Sequence, residues 1–233
     1  MSARESKVIE LRQYTLHPGK RDVLIDLFER EFIESQEALG MEIIGTFRDA
    51  DDPDRFVWLR GFPDMESRAK LLAAFYGGPV WKAHREAANA TMLDSDNVLL
   101  LRPAWHGSDL PGGGIRAPVG APEIPRGVVT VTICYLEQPA PESFIQDFRR
   151  ATPSMFGGSS GAYFLAAFVT ESSPNTFPAL PVREGENMFA YFSHFGDPSS
   201  VRVLRLPPDL ECSLAKPVET LRLLPTPRSR LNA

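Results

Sequence analysis

Cysteine, histidine and long apolar runs are all scarce in this chain, and each scarcity removes a class of protein. Cys134 and Cys212 are its two thiols, far apart, in apolar surroundings and without CxxC spacing. Reduced, buried cysteines are therefore expected rather than a disulfide scaffold or a structural zinc site. The four histidines, His17, His84, His106 and His194, stand at no metal-ligand spacing, and GxSxG, GxGxxG and HExxH are missing. No metal and no bound cofactor is expected on these grounds. Gly157-Gly-Ser-Ser-Gly161 lacks the lysine of a phosphate loop and reads as a helix-to-strand turn. No stretch approaches the ~18 apolar residues of a membrane span. The opening residues lack the apolar core of a secretory signal, so a cytoplasmic location is expected. Lys and Arg number 25 against 30 Asp and Glu. This acid surplus argues against nucleic acid or an anionic membrane as partner.

What the chain does have is an internal repeat. A shift of 121 positions aligns Tyr14 with Tyr135, Pro18 with Pro139, Asp26 with Asp147, Gly40 with Gly161 and Phe47 with Phe168 without a gap. Phe62-Pro-Asp64 matches Phe195-Gly-Asp197 at a shift of 133, and Leu101-Arg-Pro103 matches Leu223-Leu-Pro225 at 122. Between the copies, residues 109–127 are rich in Pro and Gly and have no periodicity, as a linker does. The expected division is 1–108, a linker over 109–127, and 128–233.

Within the first copy, residues 8–15, 41–48, 55–62 and 98–102 have strand composition. Val23, Leu24, Leu27, Phe28 and Phe32 recur at helical spacing, as do Met65, Ala69, Leu72 and Tyr76. Asp64 is placed to cap the second of these helices, and Pro79 to open a further one through Met92. The order β-α-β-β-α-β is a ferredoxin-like α+β unit; the second copy repeats it, with a shorter second helix from Asp197. Both faces of the third strands are bulky, with Phe56, Trp58 and Phe62 alternating with Val57 and Leu59. A sheet covered on both faces has this composition. Helices cover one face and the other repeat's sheet the second, giving a closed αβ barrel; two separate domains are the alternative.

Glu10-Leu-Arg-Gln-Tyr-Thr-Leu-His-Pro-Gly19-Lys, Gly45-Thr-Phe47, Trp58-Leu-Arg-Gly-Phe-Pro-Asp-Met-Glu-Ser-Arg68 and Pro79-Val-Trp81 resemble the NIPSNAP family of the dimeric αβ-barrel superfamily. The resemblance covers about residues 7–104. It is weaker in the second half, where Asn175-Thr-Phe-Pro-Ala-Leu-Pro-Val-Arg183 is similar to bacterial members with two such repeats. Relatives in the superfamily include cofactor-free monooxygenases, dehydratases, isomerases and haem enzymes. The resemblance thus implies architecture more than reaction.

Alternation on the first strand puts Glu10, Arg12 and Tyr14 on one side and Ile9, Leu11 and Gln13 on the other. Trp58 and Arg60 share a side on the third strand. If Ile9 and Leu11 pack under the helices, then Glu10, Arg12, Tyr14, Trp58 and Arg60 point into the barrel. There they form either internal ion pairs or an arginine-lined pocket for a carboxylate or enolate. By the alignment Glu10, Arg12 and Arg60 become Val131, Ile133 and Ser193, while Tyr135 and Tyr191 replace Tyr14 and Trp58. The second copy would then supply an apolar wall to a small-molecule site. Its third strand is preceded by about 12 extra residues around 170–186, with three prolines. This loop offers Asn175, Phe177 and Arg183 as a lid, or as a contact with a second copy in a homodimer. His84, beside Trp81 on the extra helix, is the expected acid–base group, with Tyr14 and Glu10 next. Three functions compete. The first is a cofactor-independent isomerase, lyase or monooxygenase acting on a small, partly apolar carbonyl or carboxylate compound. The second is a non-catalytic ligand-binding or interaction module, and the third a haem protein with His84 or His194 as axial ligand.

Overall fold

A computed structural model describes residues 6–112, 114–123, 125–157, 161–201 and 206–231; Ser159 and Ser160 of the glycine-serine turn lie outside them. The first repeat runs β1 Val8–Leu16, α1 Arg21–Leu27, a π-helical segment Phe28–Phe32, α2 Ile33–Leu39, β2 Glu42–Asp49, β3 Arg55–Phe62, α3 Met65–Gly77, α4 Pro79–Asn89 and β4 Met92–Pro103. The second runs β5 Val128–Leu136, α5 Glu142–Phe156, β6 Ala162–Thr170, β7 Asn187–Phe195, a 3-10 turn Pro198–Ser200, α6 Pro208–Glu211 and β8 Leu214–Pro225. Local chemistry explains the boundaries. Gly40 ends α2 at φ 111°, which a side chain would resist. Asp64 accepts a hydrogen bond from Ser67 N at 2.6 Å to cap α3.

The eight strands close into one antiparallel barrel in the order β1-β3-β2-β8-β5-β7-β6-β4. The halves join along β2–β8, with Phe47 opposite Pro225, and along β4–β6, with Leu101 opposite Thr170. Closure leaves no unpaired sheet edge. The barrel interior is packed with apolar side chains from all eight strands, including Ile9, Leu11, Val57, Leu59, Val131, Ile133, Phe168 and Phe192. Helices α1 to α4 cover the outer face of the first repeat, where Tyr14, Phe56, Trp58 and Phe62 form a separate core. The second repeat's outer face packs Cys134, Phe189 and Tyr191 against α5 and α6. Arg116, between the repeats, is pinned to the first of them: its Nη2 donates to Glu37 Oε1 and to Ile43 O, both at 2.6 Å.

This arrangement overturns two expectations. Ile9 and Leu11 fill the barrel, so Glu10, Arg12, Tyr14, Trp58 and Arg60 lie outside it, beneath the helices, and the two repeats' inner faces meet in one apolar core. The repeat alignment is also one residue out on the first strand. Val8 pairs with Phe62 as Val128 pairs with Phe195, so the counterparts of Glu10, Arg12 and Tyr14 are Thr130, Thr132 and Cys134. In a strand a one-residue slip exchanges the two faces, which is how Val131 and Ile133 came to stand opposite charged residues. Elsewhere the repeats agree closely. The same bulges recur at Ile43/Gly45 and Phe164/Ala166, and at Gln13/Thr15 and Ile133/Tyr135.

Candidate functional site

Glu10 and Arg60 face each other across β1 and β3, as do Arg12 and Trp58. Cross-strand neighbours of opposite charge are held within ion-pair distance. Glu10 Oε2 accepts from Arg60 Nη2 at 2.6 Å and from Arg12 Nη1 at 3.0 Å. A third cation descends from the helix above: Arg68, one turn into α3, donates from Nε to Glu10 Oε1 at 2.7 Å. All four side chains are fully buried. Burial alone would raise the Glu10 carboxyl, but Arg60, Arg12 and Arg68 together hold it well below the ordinary carboxylate range. Burial pulls the Arg68 guanidinium below its usual value, against the attraction of Glu10. Three guanidiniums around one carboxylate leave two positive charges uncompensated within the cluster.

Beside the cluster is a cavity of about 90 Å³. That is well below the roughly 150 Å³ known to hold benzene in an apolar core, so a ligand that carries a phenyl ring fits only when the loop over the cavity moves aside. Its floor is Tyr14 and Trp58 on the outer face of the sheet, and its walls are Leu24, Phe28, Phe32, Gln36, Phe75, Tyr76 and Trp81. Asn89, Met92, Ser95 and Leu180 complete the rim. The π-helical segment carries Phe28 and Phe32, an irregularity often found at functional sites. Gln36 connects cavity and cluster: its Oε1 accepts from Arg60 Nη1 at 2.7 Å. So does Tyr14, whose hydroxyl accepts from Arg12 Nε at 3.1 Å. Burial, the largest influence, raises the Tyr14 phenol above its ordinary value although Arg12 pulls the other way, so its proton is retained at neutral pH. Trp58 Nε1 is buried in the floor without a hydrogen-bond partner.

The loop at 170–186 belongs to the second repeat and closes over this first-repeat site. Phe177 stacks on Tyr76 with ring centroids 5.9 Å apart, and Asn175 Oδ1 accepts from Arg68 Nη1 at 2.9 Å. Arg183 goes elsewhere. It donates to the Tyr135 hydroxyl at 3.1 Å and pairs with Glu186 at 2.5 Å.

Of the residues singled out in the sequence, Glu10, Arg12, Tyr14, Trp58, Arg60, Trp81, Asn175 and Phe177 come together here. Tyr135 and Tyr191 do not. Tyr135 belongs to the barrel interior, with its hydroxyl donating to Glu219 at 2.6 Å; Tyr191 lies on the second repeat's outer face. At the place equivalent to Glu10 and Arg60, Thr130 and Ser193 share a 2.6 Å hydrogen bond, so the second repeat carries no matching charge. His84 sits outside the cavity, its Nε2 3.4 Å from Glu31 Oε2 and its ring against Phe32. Neither His84 nor His194 lines the cavity. Among the described residues no group of three or more His, Cys, Asp or Glu is placed to hold a metal ion. None of their helices is long and apolar enough to cross a membrane. Sequence reasoning missed Arg68, Gln36 and Tyr76. The buried face of α3 is Arg68, Leu72 and Phe75, and an arginine at helical spacing with two buried apolar residues was the available signal.

Residues 9–105 match the family model described as NIPSNAP. No curated protein matches the chain. A provisionally assigned monooxygenase from Lactobacillus acidophilus is 12% identical with a TM-score of 0.58, covering 95% of this chain and 94% of that one. Another from Fusobacterium nucleatum is 8% identical with a TM-score of 0.60, covering 100% and 97%. A NIPSNAP-like domain protein from Burkholderia xenovorans is 28% identical over 46% of this chain and 92% of its own, with a TM-score of 0.41. The two whole-chain likenesses are of fold alone.

Proposed function

We propose, from the premise that residues 9–105 are a NIPSNAP domain, that the chain binds one small, partly apolar carbonyl or carboxylate compound in the helix-covered cavity of that domain. The observation that carries this reading is a fully buried cluster with two surplus positive charges beside an aromatic cavity. A buried charge without its counter-charge is costly, and an anionic or strongly polarised ligand relieves that cost. The Tyr14 hydroxyl accepts from Arg12 and keeps its own proton to give; Trp58 Nε1–H is a second donor in the same floor. Two such donors polarise a carbonyl and stabilise the enolate or alkoxide oxygen formed from it. Isomerases, lyases and cofactor-independent oxygenases share that requirement. Tyr14 is the proton donor in this scheme. Glu10, with both oxygens engaged by arginines, is a positioning residue for the cluster.

Acetophenone labelled with 13C at the carbonyl is a suitable probe. Its carbonyl resonance is expected to move downfield on binding, and less so in Tyr14→Phe and in Trp58→Phe. Each variant should weaken binding by about 3- to 10-fold, the scale of one neutral hydrogen bond. An unchanged carbonyl shift and affinity in both variants would remove the two donors from the reading.

A further inference from the structure

The three buried arginines differ in how fully they are occupied. Arg12 donates to Tyr14, to Glu10 and, at 3.5 Å, to Ser95 O. Arg60 donates from Nε and Nη2 to Glu10 and from Nη1 to Gln36. Arg68 gives Glu10 its Nε alone. Its Nη1 meets two neutral oxygens, Asn175 Oδ1 at 2.9 Å and Thr176 Oγ1 at 3.4 Å. Its Nη2 is buried without a partner. A guanidinium presents paired N–H groups that match the two oxygens of a carboxylate. The Nη1–Nη2 edge of Arg68 is such a pair, with an amide oxygen on one prong and nothing on the other.

We infer that this edge of Arg68 is the seat of the ligand's carboxylate, and that Asn175 holds the place in the closed chain. The inference rests on the cavity reading above and narrows it: the ligand is a carboxylic acid with a small apolar body, not a neutral ketone. The loop's connections support it. Asn175 Nδ2 donates to Leu180 O at 2.9 Å, and Leu180 is part of the cavity rim. Asn175 Oδ1 also accepts from Phe177 N at 3.0 Å, and Phe177 stacks on the cavity wall at Tyr76. The residue on Arg68 is thus tied to the residues that close the cavity. Displacing Asn175 frees the guanidinium edge and opens the rim together, so carboxylate binding and loop opening are one event. The second repeat, which supplies the loop, therefore sets the specificity of a site whose cations all come from the first.

The test uses the full chain, with benzoate as the carboxylate probe and acetophenone as the neutral control, measured by titration calorimetry. Asn175→Asp puts a carboxylate of the chain's own on Arg68, and should lower the ratio of benzoate to acetophenone affinity by about 30-fold while raising the melting temperature. Asn175→Ala empties the seat and should raise that ratio. Arg68→Lys keeps the charge but loses the paired donors, and should lower the ratio by about 10-fold. If Arg68→Lys fails to fold, Asn175→Asp still decides, since it leaves Arg68 in place. A ratio within twofold of the unmodified chain in Asn175→Asp overturns the inference. Acetophenone binding with benzoate indifferent to positions 68 and 175 defeats the inference alone. Arg68-dependent benzoate binding without acetophenone binding supports the inference and removes the carbonyl half of the cavity reading, and binding of neither probe defeats both.

Discussion

Glu10→Gln is expected to destabilise the fold by about 3–5 kcal/mol, the cost of removing one partner from a buried ion pair. The effect is large because Glu10 is the one anion among three guanidiniums, all fully buried. An amide of the same size keeps the packing and loses the charge, so the loss is electrostatic. Urea denaturation at pH 7 measures it, with Asp51→Asn as the control. Asp51 pairs with Arg222 at the surface with both side chains about half exposed, and such pairs contribute about 0–1 kcal/mol. The pH dependence separates charge from packing. The folded-state carboxyl is held well below its ordinary value near 4.5, so its stabilisation is fully present above pH 4.5. It is lost progressively as acid forces a proton onto it, because the unfolded chain takes that proton first. The chain with Glu10 should therefore lose stability below pH 4.5 faster than the variant, and the gap between them should narrow. A variant as stable as the parent at pH 7 would mean that Glu10 does not hold the arginines in place.

Residues 1–108 expressed alone should not give a monomer. The cut exposes Ile9, Leu11, Val57, Leu59, Leu99 and Leu101, which are almost completely buried in the intact barrel. Burial of each such side chain contributes about 1.5–3 kcal/mol, and together they rival the ~5–15 kcal/mol that separates folded from unfolded domains. The cut also leaves β2 and β4 as open edges, which invite pairing with another chain. Sedimentation should show aggregate, or a homodimer in which a second copy closes the barrel. A stable monomeric fragment would contradict a shared interior.

The order of strands and helices along the chain was legible because β-rich runs are set off by turn and cap residues: Gly40 after α2, Asp64 before α3, Pro79 at α4. Which face was inside was not legible. Ile9 and Leu11 are as bulky as Tyr14 and Trp58, so alternation separates two faces without saying which meets the barrel. The sequence match of Tyr14 with Tyr135 compounded this, since a coincidence of one residue type outweighed the pairing register, which depends on backbone hydrogen bonds. Glu10, Arg12 and Arg60 were found as a group because cross-strand neighbours can be read from parity. Arg68 was not, since its partner is 58 residues away and is reached only when α3 lies over β1. The second repeat's contribution was half visible. The prolines marked an irregular loop, but nothing local shows that Asn175 and Phe177 reach across to the first repeat while Arg183 turns to Tyr135.

The most direct test of where the site lies is a two-dimensional 1H–15N spectrum of the tryptophan indoles during titration with benzoate. Trp58 and Trp81 line the cavity under the first repeat's helices, whereas Trp105 packs against Phe148 and Phe164 on the second repeat. The indole signals of Trp58 and Trp81 should move, and that of Trp105 should stay in place. Movement of Trp105 with Trp58 and Trp81 unchanged would place the ligand on the other repeat and contradict the account.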